Sequence, residues 1–191
     1  YSMKRLFFMM FFLLCSVIIS LGKSNGNIKW YNPLDGMSPH LCGRAWNNEI
    51  GKNFYRLPSR AKNNVSKAVW LLSKNSSGMY IRFHTNSTNI HIKYTVSQEK
   101  YKWNQIMIST SGLDLYMTDN KGVTHWCAAP NSVSFGKQIS DTISYDFKSI
   151  DYKGGDDAVF TMYLPLYNTV ETMKIGIDNN KGEITVGECL C

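Results

Sequence analysis

Residues 79–85 read Met-Tyr-Ile-Arg-Phe-His-Thr, and after Asn86-Ser87-Thr88-Asn89 residues 90–96 read Ile-His-Ile-Lys-Tyr-Thr-Val. In the first run Ile81 and Phe83 alternate with Arg82 and His84. In the second, Ile90, Ile92, Tyr94 and Val96 alternate with His91, Lys93 and Thr95. A period of two sends the two sets to opposite faces of an extended chain, so each run is a strand with one face in the core. The break between them carries residues whose side chains bond their own backbone in turns. The same pattern returns at Ile143, Tyr145 and Phe147, over Ala158–Leu164, at Met173, Ile175 and Ile177, and over Glu183–Val186. Turn chemistry also marks 75–78, 119–122, 153–156 and 178–182. No apolar stripe of period 3.6 runs over a window of about eleven residues after the N-terminal segment. The pattern predicts an all-β chain, an antiparallel β-sandwich, jelly-roll-like, without interleaved helices. Pro33, Pro39 and Pro58 interrupt the early part, which is less regular. No repeat and no linker divides the strands, so one domain is expected.

Outward from the strands, the N-terminus differs in kind. Met3-Lys4-Arg5 precedes Leu6–Ile19, an apolar run broken only by Cys15 and Ser16, and Ser20-Leu21-Gly22 supplies small residues before a cut. Residues 1–22 therefore read as a secretory signal, with the exported form, periplasmic or extracellular, starting near Lys23. The signal segment is the chain's expected contact with a membrane. Without Lys4 and Arg5, nineteen basic residues face fourteen acidic ones. They are scattered singly and make no stripe that tracks phosphates, which argues against nucleic acid as a partner. With 43% hydrophobic and 18% charged residues, the chain is able to build a core and is not a disordered one.

Export permits disulfides, and Cys42 with Cys127 is the one pair to consider, although four scattered cysteines do not make a disulfide-dense scaffold; Cys189 and Cys191 look like an aberrant tail over 188–191. Nucleophilic hydrolysis needs a Ser or Cys beside a His held by a carboxylate. His40, His84, His91 and His125 are present, but there is no Gly-x-Ser-x-Gly elbow, and Gly155-Asp156-Asp157-Ala158 lacks a serine. His84 and His91 fall on polar strand faces and are expected to be solvated. His40-x-Cys42 and Cys189-x-Cys191 have the wrong spacing for zinc, and the turn aspartates Asp119 and Asp178 are accounted for by turn bonding. No metal and no cofactor is expected. The tryptophans Trp30, Trp46, Trp70, Trp103 and Trp126 are expected to pack in the core or at edges.

More specific is an ordered set of blocks. The chain reads Gly43-Arg44-Ala45-Trp46, Tyr55-Arg56-Leu57-Pro58, Val69-Trp70-Leu71-Leu72-Ser73 and Ser77-Gly78-Met79-Tyr80-Ile81-Arg82-Phe83. It continues with Ser111-Gly112-Leu113-Asp114-Leu115-Tyr116 and Tyr163-Leu164-Pro165-Leu166-Tyr167-Asn168. This resembles the N-terminal β-sandwich domain of bacterial SGNH-type (GDSL-like) esterases, marked by a Gly-x-Asp-Leu-Tyr motif, over about Trp30 to Val186. The resemblance implies a module at 23–187 that normally precedes a catalytic α/β/α domain in the same chain. That domain carries the nucleophilic Ser and its Asp-x-x-His partners; no position here matches them, so this chain alone is expected to be non-catalytic. The intact parent would hydrolyse acyl esters, and carbohydrate is the expected substrate background. The rival reading is a free-standing carbohydrate-binding protein that uses surface Trp and Tyr.

The motif residues carry their own expectations. Gly112 is suited to a positive φ before a strand. Asp114 and Tyr116 share the face opposite Leu113 and Leu115, where Arg56 or Arg82 could meet them in a buried hydrogen-bonded cluster; the alternative is that this face shapes the rim of the neighbouring domain's active site. Loss of a buried Asp114 hub would cost roughly 1–3 kcal/mol. Pro165 excludes a central strand, so Leu164–Asn168 is a corner, with Pro165 and Tyr167 as candidate contacts to the missing domain.

Overall fold

The computed structural model describes residues 27–35, 40–97, 105–129, 142–147, 158–178, 184–187 and 189. The N-terminal segment 1–22, Trp103 and the turn at 153–156 lie outside the described residues, as does the side chain of His40.

Among the described residues, ten strands form two antiparallel sheets. They are β1 (Ile28–Tyr31), β2 (His40–Cys42), β3 (Tyr80–His84), β4 (Ile90–Val96), β5 (Asp114–Thr118), β6 (Thr124–Ala128), β7 (Ile143–Phe147), β8 (Val159–Tyr163), β9 (Val170–Asp178) and β10 (Thr185–Val186). Sheet A runs β1-β9-β4-β7, and sheet B runs β10-β3-β8-β5-β6, with β2 also paired to β3. The strand alternation drives this arrangement directly. Ile90, Ile92 and Tyr94 of β4 are fully buried, as are Ile175 and Ile177 of β9, and they face Ile81, Phe83, Leu115, Phe160 and Met162 of sheet B. Phe83 and Phe160, opposite each other in the β3–β8 register, stack at 5.6 Å. The all-β antiparallel sandwich expected from the period is thus the observed fold.

Four departures have physical causes. First, short helices do interleave: α1 (Asn47–Ile50), a 3₁₀ turn (Ser59–Asn63), α2 (Lys67–Leu72) and α3 (Met107–Ser111). None exceeds six residues, too short to build a visible apolar stripe, and α2 is started by Ser66, whose Oγ accepts the Val69 N–H at 3.3 Å. Second, β1 and β2 arise in the proline-interrupted region, where pairing with β9 and β3 outweighs weak local pattern.

Third, the disulfide is Cys42–Cys189, not Cys42–Cys127. β2 and β10 lie end to end along the same edge of β3, at Tyr80–Arg82 and Phe83–His84, which brings Cys189 beside Cys42 with Cα atoms 5.4 Å apart. Cys127 sits on β6 at the far edge of the sheet, four strand spacings away or roughly 19 Å, beyond disulfide reach. It is a free thiol. The fold's covalent frame therefore extends to Cys189, past residue 187.

Fourth, His91 is not solvated. Its side chain is only 11% exposed, and its Nδ1 and Nε2 lie 2.7 Å from Asp146 Oδ1 and 3.2 Å from Asp178 Oδ1. The register places Asp146 of β7 directly beside His91, and Asp178 one strand away on β9. Three neighbouring strands are laced together on the outer face of sheet A.

Candidate functional site

The Gly-x-Asp-Leu-Tyr motif joins α3 to β5. Gly112 caps α3, and its N–H donates to Ile108 O at 2.8 Å. Its φ is −77°, so the expected positive φ is not what demands glycine. The demand is proximity: a Cβ at Gly112 would lie 2.3 Å from Ile108 O and 2.9 Å from the Ile108 side chain. Leu113 and Leu115 enter the core, which turns Asp114 and Tyr116 to the outer face of sheet B.

The expected buried Asp–Arg–Tyr cluster does not form. Asp114 is exposed and pairs across to Tyr163 of β8. Arg82 is on β3, with β8 between it and β5, in one row with Thr161, Tyr116 and Trp126. Arg56 lies elsewhere, before the 3₁₀ turn. Its N–H donates to Ser73 O at 3.0 Å and its Nη2 to Leu72 O at 2.7 Å, so it ties its segment to the C-terminal end of α2. The cause is the strand period itself. With Leu113 and Leu115 taking the inward positions, Asp114 has only the solvent side left.

What converges instead is one end of the sandwich, where three of the sequence blocks meet. Ser76 N–H donates to Asn168 O at 2.9 Å, and Val170 N–H returns a bond to Ser76 Oγ at 3.1 Å. Asn168 Nδ2 donates to Ser111 Oγ at 3.0 Å, Tyr167 N–H to Thr110 O at 3.1 Å, and Leu164 N–H to Met79 O at 3.0 Å. Ser77 Oγ donates to Leu166 O. From the core, Tyr94 Oη donates to Ser111 O at 2.6 Å. Ser76, Ser111 and Asn168 are buried, and each satisfies a backbone or side-chain partner that a corner would otherwise leave dry. Pro165 follows β8 and is buried in this corner, off the strand ladder, where it has no N–H to leave unsatisfied. Asn168 and Ser111 stood in the quoted blocks, but their role as a hub had no local signal because each partner lies far away in sequence.

On this polar frame stand exposed apolar side chains. Leu71, Leu72 and Val69 of α2, Leu166 and Tyr167 of the corner, and Ile106 before α3 are among the ten exposed large hydrophobics of the described residues. Hydrogen bonds link their segments, through Arg56 to Leu72, Ser77 to Leu166 and Tyr167 to Thr110. Lys74 adds a cation over the rings of Tyr55 and Trp70, at 5.5 and 5.8 Å. These apolar side chains stay exposed although the segments that carry them are held by hydrogen bonds.

Two of the four histidines are engaged with carboxylates away from this end. Both ring nitrogens of His91 face carboxylates, which leaves neither to activate a hydroxyl. His125 is on β6 beside Asp119, at 3.2 Å, in the β5–β6 hairpin. Asp119 Oδ1 accepts the N–H groups of Lys121 and Val123, both at 2.9 Å. The Val123 amide first, then His125 and Lys121, hold its carboxyl below the usual carboxylate range. Among the described residues no group of three or more His, Cys, Asp and Glu could hold a metal ion, and no helix is long and apolar enough to cross a membrane.

Comparison with known proteins adds to this geometry. A family profile described as GxDLY, the N-terminus of SGNH-hydrolase-type esterases, matches residues 28–182. A GDSL-like lipase from Bacteroides ovatus is similar in structure with a TM-score of 0.68 and 25% identity, over 85% of this chain and 44% of that one. The salicylyl-acyltransferase SsfX3 from a tetracycline biosynthetic pathway is similar in fold, with a TM-score of 0.60 and 11% identity over 86% of this chain and 43% of that one. The chain thus spans less than half the length of either solved structure. No curated protein matches it.

Proposed function

Because this chain belongs to the family that forms the N-terminus of SGNH-hydrolase-type esterases, we propose that it is the non-catalytic accessory module of an exported acyl-ester hydrolase acting on carbohydrate. Its partner is an SGNH-type catalytic domain in the same polypeptide. The observation that carries this reading is the sandwich end, where Leu71, Leu72, Leu166 and Tyr167 stay exposed on a frame of buried hydrogen bonds. A corner held by Ser76, Ser111 and Asn168 keeps its shape while docking, so little ordering entropy opposes contact. The module's work is to hold the catalytic domain and orient substrate at its rim; the Ser nucleophile, base and oxyanion donors belong to the partner domain. Export through residues 1–22, to the periplasm or the outside, agrees with the Cys42–Cys189 bond, since such bonds persist in oxidising compartments.

Two measurements test it. The purified chain should not hydrolyse aryl acetates or acetylated sugars above background, whereas the chain joined to an SGNH-type catalytic domain should. In that two-domain protein, Leu72→Glu with Leu166→Glu should lower the thermal midpoint of the catalytic domain and its kcat/KM. Turnover by the chain alone, removed by replacing one serine or one of His84, His91 and His125, would overturn the accessory role.

A further inference from the structure

A second surface differs in chemistry from the docking end. Along the outer face of sheet B, register sets Tyr163 of β8 opposite Asp114 of β5, and Tyr116 of β5 opposite Trp126 of β6. Trp126 is 61% and Tyr163 41% exposed, although the tryptophans were expected to pack in the core or at edges. Towards β3 the same face is closed, for Tyr80 and Thr161 are buried. The open part therefore runs from Tyr163 at the end of β8 over β5 to β6, two strand spacings or roughly 10 Å wide. We propose that Tyr163, Asp114, Tyr116 and Trp126 form a binding site for neutral pyranose residues of an oligosaccharide.

The residue types select that ligand. The rings of Tyr116 and Tyr163 meet edge to face, 5.6 Å apart at 89°, so they form a fixed corner instead of a flat sheet. The Trp126 indole continues it across the next strand. Aromatic rings offer an apolar face for the C–H side of a sugar, and the phenol oxygens reach its rim. Asp114 supplies a carboxylate that only accepts hydrogen bonds, able to take adjacent hydroxyls in pairs. Among the described residues no hydrogen bond or ion pair engages it. Thr118 and Thr124, bonded to each other at 2.9 Å, add hydroxyls at the next register position. Among the described residues the open part holds one carboxylate and no cation, which disfavours an anionic sugar. A protein partner would call for aliphatic contacts of the kind at the docking end, and these four positions hold none. Tyr163 also leads directly into the Leu164–Asn168 corner, so a sugar bound here lies beside the docking end. The choice of ligand rests on these side chains, and the proposal leans on the accessory reading only in that carbohydrate is there the substrate background.

The test titrates the full chain with cellohexaose, xylohexaose and mannohexaose, followed by calorimetry and tryptophan fluorescence. At least one should bind saturably, and Trp126→Ala and Asp114→Ala should each weaken it about tenfold or more. Trp46→Ala, on the helical side, should leave binding unchanged. All three positions are exposed, and an unchanged denaturation midpoint verifies the fold of each variant. Failure of all three sugars to bind at about 10 mM, equal binding by the two site variants, or tighter binding of hexagalacturonate would each overturn the proposal. A chain that binds no sugar yet docks a catalytic domain loses this site and keeps the accessory role. A chain that binds sugar but hydrolyses esters unaided does the reverse.

Discussion

At the scale of single residues, Gly112 and Asp114 of one motif have opposite fates. Gly112→Ala would drive a methyl into Ile108 O and the Ile108 side chain, at 2.3 and 2.9 Å, so the start of β5 or the end of α3 must shift. The denaturation midpoint should fall by the equivalent of about 1–3 kcal/mol. Asp114→Ala should change stability by less than about 0.5 kcal/mol, because the side chain is exposed and anchors nothing in the core. Urea titration of the two variants side by side separates them, and a large loss in Asp114→Ala would restore the buried hub that its sequence position suggested. Asp and Tyr two apart on a strand showed that they share a face, but not which face, since that depends on where Leu113 and Leu115 find a core.

At the scale of elements, the C-terminal strand is held by covalent and backbone bonds together. β10 offers only two residues to β3, with Gly187 N–H donating to Arg82 O at 3.1 Å, too little to hold alone. The Cys42–Cys189 bond closes a separation of 147 residues and keeps β10 in place. Cys189→Ser, or reduction, should cost about 2–5 kcal/mol and release β10. Peptide mapping should recover Cys42 joined to Cys189, while Cys127 takes up a thiol reagent and Cys127→Ser leaves the midpoint unchanged. In the β5–β6 hairpin, Asp119→Ala should speed amide exchange at Lys121 and Val123, which lose their carboxylate acceptor. The sign for pH follows from the lowered Asp119 pKa. Its contribution is present above the ordinary carboxylate range and is lost as pH falls through the folded value.

For the whole molecule, the two sheets share one core, and β2 and β10 both complete β3, so unfolding should be a single cooperative transition. Its alkaline limit is set by Tyr94 and Tyr145. Burial raises both phenols, Tyr94 far above its ordinary range and Tyr145 up to about 12. A group raised in the folded state contributes fully below its unfolded pKa, about 10 for tyrosine, and loses that contribution as pH climbs towards the folded value. Stability should therefore hold to about pH 10 and fall beyond it. Phenolate absorbance should show two of the eleven tyrosines ionising only as the chain unfolds. If both titrate freely while the fold persists, the packing assigned to them is wrong.

The sequence alone determined the fold class, because alternation of period two is a local property: each strand's inward set can be read without knowing its partner. It also determined the family, since six ordered blocks need no contacts to be recognised, and it marked Leu164–Asn168 as a corner through the missing N–H of Pro165. Only the tertiary structure decided what these residues do together. The partners of Asn168, Cys42 and His91 lie 57, 147, and 55 and 87 positions away. Loop closure over such distances leaves no periodic trace, so a hydrogen-bonded hub, a disulfide and a histidine clasp stay hidden until the strands pair. Which outer face stays open was decided in the same way. Trp126 and Tyr116 are neighbours only through the β5–β6 register, and Tyr163 joins them only because β8 packs on the other side of β5.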